Sequence, residues 1–337
     1  MSNQKKLLIF LGGTILTIVT LFVLVQIAGV GYFQNISILA GITLIATLGV
    51  AILTGYTGLF TIGHAGFMAM GGYLAAILVK EYHVPFILAL MGGGIFAGFT
   101  SFIIGYPAFR SRLRGDYFAI ATLGFAEAIR LLLNNVRAIG PIKLGGSFGY
   151  MDIPSLNVLC WEWLGSDGWN GVIVVLLFAV GTLVMTHMFV KSQYGKNCIA
   201  VCQDEVAAQM MGVDLMRTKM LALFISAFFA GVAGALMAFY YGYLTPGFFM
   251  ITRSSDLLAG VVFGGMQSLI GPTITSIVLV AVPEVLRGIN EYRLIAYGLF
   301  FVIVMIFRPQ GLLGYVEMNF DFVRQLWRRE PAKATGK

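Results

Sequence analysis

The chain has 337 residues; 58% are hydrophobic, only 11% are charged, and the formal net charge is +7. A soluble domain carries about 25% charged residues, so this composition excludes a water-soluble enzyme, a nucleic-acid binder and a disordered chain. The remaining class is an all-α polytopic integral membrane helix bundle, because lipid forces each spanning segment to satisfy its own backbone. In chain order, apolar stretches run over 7–27, 35–54, 59–79, 86–106, 117–136, 169–190, 218–241, 255–270, 272–288 and 293–307. A spanning helix needs about 20 residues, so about ten transmembrane helices are expected. The first stretch is longer than a signal-peptide core and no A-x-A site follows it, so it is read as a retained span.

Basic residues orient the bundle. With Lys5 and Lys6 inside, Arg110, Arg112 and Arg114 also fall inside, as do Lys191, Lys196, Arg217 and Lys219 and a basic tail ending at Lys337. Both termini are therefore expected in the cytoplasm. Residues 1–315 form the transmembrane part and 316–337 a basic cytoplasmic tail. The largest external loop is 137–168, broken by Gly140, Pro141, Gly145, Gly146 and Pro154. The largest cytoplasmic connection is 191–217. Three cysteines cannot build a disulfide framework, and Cys160, Cys198 and Cys202 are read as free thiols.

Glycine is abundant, with 42 residues. Small residues let membrane helices approach closely, and Gly63, Gly66, Gly260, Gly264 and Gly271 are expected at such contacts. Pro283 is expected to kink the ninth span. Gly58, Phe60, Ile62 and Gly71 align with Gly247, Phe249, Ile251 and Gly260, and the topology enters the two stretches from opposite sides, as an inverted repeat requires.

Ionisable residues at membrane depth are costly and invite a functional reading. His64 lies in Gly63-His64-Ala65-Gly66, where it either fixes a helix start by a buried hydrogen bond or faces a translocation path. Glu127 and Arg130 are three apart, on one helix face, and Glu284 and Arg287 repeat the spacing. Each pair reads either as a self-neutralised contact in the bundle interior or as a polar patch on the path. Neither paired catalytic carboxylates, nor a zinc-type ligand set, nor a nucleophilic constellation is legible. The phosphate-binding pattern G-x-x-x-x-G-K-[ST] is absent too, since Gly195-Lys196 is followed by Asn197.

Within the cytoplasmic connection, Ile199, Cys202, Val206 and Met210 fall on one side of a helix. Asp204 and Glu205 fall on the other, and Gly212 suits a helix stop. Such a helix fits a groove on a partner through its apolar anchors. Asp204-Glu205-Val206-Ala207-Ala208, with Gly212 four residues on, resembles the coupling segment of ABC-importer permeases. It is most similar to the branched-chain amino-acid permease family, the LivH/LivM type. Gly58-Leu59-Phe60-Thr61-Ile62-Gly63-His64-Ala65-Gly66-Phe67 with Gly71-Gly72-Tyr73 resembles that family's G-x-x-S-x-G-H-x-x-F signature. The run from Leu113 to Phe125 resembles the LivM branch. Gly264-Gly265 with Gly271-Pro272, and Arg308-Pro309-Gln310-Gly311, resemble its late elements. The chain departs from the pattern at Thr61, Cys202, Gln267 and Thr275.

The resemblance implies a permease subunit of an ATP-driven importer in a bacterial or archaeal plasma membrane. It implies a second permease, two ATP-binding subunits and an extracytoplasmic solute-binding protein as partners, besides the lipid bilayer. It also implies no cofactor in this chain, ATP being held by the partner subunits. Coupling is expected at Ile199, Asp204, Glu205, Val206, Ala208, Met210 and Gly212. Branched-chain amino acids are the expected solute; urea or amide transport within the same family, and more distantly an ion-driven transporter using Glu127 or Glu284, are the alternatives.

Overall fold

The computed structural model describes residues 30–111, 115–139, 142–155, 170–285 and 298. Among these, ten α-helices dominate: α1 (Val30–Val50), α2 (His64–Lys80), α3 (Phe86–Arg110), α4 (Asp116–Asn135), α5 (Asn170–Lys191), α6 (Gln193–Gln203), α7 (Glu205–Met210), α8 (Leu215–Tyr241), α9 (Ile251–Gly264) and α10 (Ile270–Val285). A two-residue antiparallel hairpin, β1 (Ala138–Ile139) with β2 (Ile142–Lys143), is the described strand structure. Among the described residues, four helices are long and apolar enough to cross a membrane: Gln34–Tyr56, Phe86–Arg110, Asn170–Lys191 and Leu215–Tyr241. The described residues are predominantly helical, and the chain is a multi-pass membrane protein. The stretch 7–27, the stretch 293–307 apart from residue 298, and the tail 316–337 lie outside the described residues.

The long helix α8 is the centre of the bundle, packed against α3, α2 and α1. It begins at the N-cap Asp214, whose carboxylate accepts from Arg217 N at 3.1 Å, and ends at Gly242 with φ +71°. Its middle is apolar all round, as a helix enclosed by others must be. Ile42, Ile45, Phe67, Met68 and Leu90 fill the core around it and meet its own buried side chains such as Phe239. Helices approach here through glycine. A Cβ on Gly71 would lie 2.5 Å from Gly231 O, and one on Gly72 would lie 2.8 Å from Gly234 O.

Two span boundaries differ from the sequence reading. The stretch 59–79 is helical only from His64; Thr57–Gly63 is an irregular loop after a π-helical turn at Ala51–Tyr56. The predicted division near 271 lies earlier. Helix α9 ends at Gly264, and Gly265 takes φ +111° to turn the chain. Pro272 then sits in the first turn of α10, where a missing N–H costs nothing. Pro283 falls in the last described turn of α10.

The connections gather at two ends. At one, Tyr150 bridges to Leu244, Lys80 Nζ donates to Met151 O at 2.8 Å, and the Tyr150 hydroxyl donates to Glu81 Oε1 at 2.9 Å. This is the hairpin end, and it holds the described part of loop 137–168. At the other, the Tyr56 hydroxyl donates to Gln267 O at 3.3 Å, and Cys202 packs against Gly58. This is the connector end.

Candidate functional site

The connector is two helices, not one. The backbone extends at Asp204 (φ −155°, ψ 114°), separating α6 from α7. Asp204 Oδ1 accepts from Val206 N at 2.7 Å and Ala207 N at 3.0 Å, so its carboxylate caps the second helix instead of continuing the first. Asp favours this competing local bond over a helix interior. Helix α7 is closed at its other end by a Schellman pair: Gly212 N donates to Gln209 O and Val213 N to Ala208 O, both at 3.0 Å, with Gly212 at φ +85°.

This bend splits the expected apolar face. Ile199 packs beside Leu48, Tyr56 and Leu269. Cys202 rests on Gly58, where a Cβ would meet its Sγ at 3.1 Å, and Gly58 itself needs φ +73°. Val206 and Met210 turn instead to the surface, 55% and 83% exposed, joined by Met211 at 85%. Ala208 is buried beneath them. Glu205 does not lie on an exposed face with Asp204. Its Oε1 accepts from Lys219 Nζ at 2.8 Å, and the Lys219 side chain is 7% exposed in α8. A groove of about 300 Å³ lies between Thr57, Gly58 and the bend at Val201–Val206. Burial pushes the Cys198 and Cys202 thiols up, so neither is an activated nucleophile.

A second polar cluster surrounds the start of α2. His64 Nε2 lies 2.6 Å from Ser226 Oγ, and the Ser226 hydroxyl donates to Gly49 O at 2.7 Å. A hydroxyl has one proton, so Nε2 carries the ring proton and donates to Ser226. Nδ1 is buried without a hydrogen-bond partner. Ala65 N donates to Ser254 Oγ at 2.9 Å, Ile62 N to Thr122 Oγ1 at 3.3 Å, and Gly63 N to Thr61 Oγ1 at 3.3 Å. These side chains satisfy donors that a helix start leaves open. The cluster ties α2 to α4, α8 and α9. Thr61 supplies a hydroxyl where the signature has Ser. Gly63 and Gly66 permit the contact with α4, since a Cβ on either would lie 2.7 Å from backbone of Thr122 or Ala126. Gly260 faces Leu279 and Thr47, and Gly264 and Gly271 face each other across the α9–α10 turn.

Glu127 and Arg130 pair on α4: Arg130 Nε donates to both carboxylate oxygens at 3.0 and 2.9 Å, and Nη2 also meets Oε1. The pair is not in the bundle interior; the Glu127 side chain is 39% exposed and that of Arg130 22%. Glu284 falls in the last turn of α10, and Arg287 lies outside the described residues. Among the described residues no group of three His, Cys, Asp or Glu could hold a metal.

The family profile described as branched-chain amino acid transport system / permease component matches residues 32–308. This chain belongs to that family. It is 35% identical over 300 residues to the high-affinity branched-chain amino acid transport system permease protein LivM of Escherichia coli, covering 83% of this chain and 69% of LivM. It is 25% identical over 302 residues to BraD of Pseudomonas aeruginosa, covering 81% and 91% of the two chains. Identity to LivH of Escherichia coli is 23% over 313 residues, covering 85% and 96%. No solved structure matches the chain. The chain is thus a permease component of a transport system, and the matched segment contains the connector and both glycine-rich stretches. Within this permease, Lys219, Ser226, Ser254 and Thr122 belong to the two polar sites although the sequence reading did not select them. For Ser226 a signal existed, a single hydroxyl in the apolar run from Met220 to Phe239.

Proposed function

We propose that this chain is one of two permease subunits of an ATP-driven ABC importer for branched-chain amino acids. The whole chain crosses a bacterial or archaeal plasma membrane about ten times, with both termini and the connector end in the cytoplasm. Two partner subunits bind and hydrolyse ATP, this chain needs no cofactor of its own, and an extracytoplasmic binding protein delivers the solute to the hairpin end. ATP binding closes the ATPase pair and pulls on α7, and the bundle reorients between its two openings.

One observation carries this reading: α7 is a six-residue helix capped at both ends that holds Val206, Met210 and Met211 out to solvent. Exposed apolar side chains on a rigid projection suit insertion into a partner groove. The names of LivM, BraD and LivH support the choice of solute. The half-exposed Glu127–Arg130 pair, on a helix face otherwise carrying Tyr117, Ile120 and Leu131, supports α4 as a wall of the solute path or of the contact with the second permease. Co-purification from detergent with candidate ATP-binding subunits tests the docking face. The wild-type chain should retain them, and Val206→Asp with Met210→Asp should reduce recovery at least about tenfold, a loss of roughly 1.4 kcal/mol. Undiminished recovery by the double variant would overturn the assignment of this face.

A further inference from the structure

Helix α7 is too short to transmit motion by its own length, and Asp204 breaks its continuity with α6. What joins it to the bundle is therefore decisive. The loop 211–214 leads into α8, Ala208 packs inward, and Glu205 reaches Lys219 one turn inside α8. Lys219 is 7% exposed, which makes its ammonium group dependent on that carboxylate. A buried cation deprived of its partner is strongly unfavourable, whereas a pair of neutral residues in the same place is tolerated. Helix α8 is also the element against which α1, α2 and α3 pack. The large apolar side chains that point away from the bundle are Val206, Met210 and Met211, whereas Glu205 is only partly exposed.

We infer that Glu205 and Lys219 form a strut that carries displacement of the docking helix α7 into the central helix α8, so that Glu205 acts within this chain and not as a contact to the ATP-binding subunit. The inference rests on the proposed import function. Glu205 and Lys219 are positioning residues: they touch neither solute nor nucleotide. The carboxylate at 2.8 Å fixes the start of α7 relative to the second turn of α8, and the two caps make α7 move as a unit.

The test uses the complete transporter in proteoliposomes, with both permeases, the ATP-binding subunits and the binding protein. Three variants are compared with wild type: Glu205→Lys, the charge swap Glu205→Lys with Lys219→Glu, and the neutral pair Glu205→Gln with Lys219→Met. Three quantities are read: co-purification of the ATP-binding subunits, ATP hydrolysis, and solute taken up per ATP hydrolysed. Glu205→Lys should keep its ATP-binding subunits within about threefold of wild type while uptake per ATP falls at least about tenfold. The charge swap should restore that ratio to within about threefold. The neutral pair should insert and assemble, with a ratio reduced at least about threefold. A purely structural pair would give a neutral variant with the wild-type ratio, which overturns the strut. So would loss of co-purification in Glu205→Lys alone, an assembled swap that fails to restore coupling, or failure of the swap or neutral pair to insert. If wild type itself never associates with an ATP-binding subunit, the import reading fails, and that result is distinct from every variant outcome.

Discussion

Gly71 is where close helix packing can be tested most sharply. Replacing Gly71 with Ala adds a methyl group whose carbon would lie 2.5 Å from Gly231 O and 2.7 Å from Gly231 C. Ordinary contact begins at 3.4 Å, and Gly231 Cα lies closer still than the oxygen, so the Gly231 backbone must retreat by more than about 0.9 Å. The obstacle is backbone of α8, which cannot swing aside as a side chain does, and moving it disturbs the packing of α3 as well. Overpacking a core by one carbon costs about 1–3 kcal/mol, and a backbone obstacle belongs near the top of that range. At about 2–3 kcal/mol the folded-to-unfolded ratio falls roughly 30- to 150-fold. The assay is thermal unfolding of the purified chain in detergent, read as loss of the monodisperse species. Gly181→Ala in α5 is the matched control, because a Cβ there has nothing within 4 Å. It removes the flexibility of a helical glycine, which is worth about 0.5–1 kcal/mol in the stabilising direction. Gly71→Ala should therefore lower the midpoint by about 3–4 °C, while Gly181→Ala leaves it level or raises it. Equal midpoints for the two variants would refute the packing argument.

Three further outcomes are expected. Asp204→Ala removes the cap of α7 at a cost of about 1 kcal/mol, and should speed hydrogen exchange of amides 206–207 about fivefold; unchanged exchange would contradict the cap. Ser226→Ala leaves the His64 ring N–H and Gly49 O without their shared hydroxyl and should cost about 1–3 kcal/mol of stability; an unchanged unfolding midpoint would show that the two groups find other partners. The third concerns pH. Burial disfavours the Cys202 thiolate and raises the thiol, against a weaker opposing hydrogen bond from Gln267. In a chain carrying Cys160→Ser and Cys198→Ser, maleimide labelling of Cys202 at pH 7 should lag an unstructured cysteine, whose thiol titrates at about 8.5, and should level only at a higher pH than that cysteine does. A plateau below pH 8.5 would contradict the burial.

Much of the fold was legible because lipid imposes a single rule, length of apolar run. That rule places α3, α5 and α8 within a few residues of their ends. It is weakest where polar and apolar residues alternate at short range, as at Leu59–Gly63, which is apolar enough to read as helix yet is held in a loop by Thr61 and Thr122. The connector shows a different limit. The spacing of Ile199, Cys202, Val206 and Met210 is helical, and both halves are helices. The phase was carried across Asp204, however, where a side-chain cap redirects the chain by about one residue of extended backbone. The cap was visible in retrospect as an Asp preceding the run Glu205–Met210.

The polar sites depended on long-range pairing that one sequence does not display. His64 and Ser226 are 162 positions apart, and Ala65 and Ser254 are 189 apart. Lys219 looked like one more cytoplasmic basic residue; only the docking of α7 against α8 turns it inward to Glu205. Glu127 and Arg130 were legible as a pair from their spacing, but which way the pair faces is decided by the peripheral position of α4.

The most direct test of the central claim is uptake of labelled leucine by proteoliposomes holding this chain, its partner permease and the ATP-binding subunits, with ATP on the connector side and the binding protein on the hairpin side. The account predicts uptake that requires both ATP and the binding protein and survives collapse of proton and sodium gradients by ionophores. Uptake by this chain alone that follows an ion gradient and ignores ATP would contradict it.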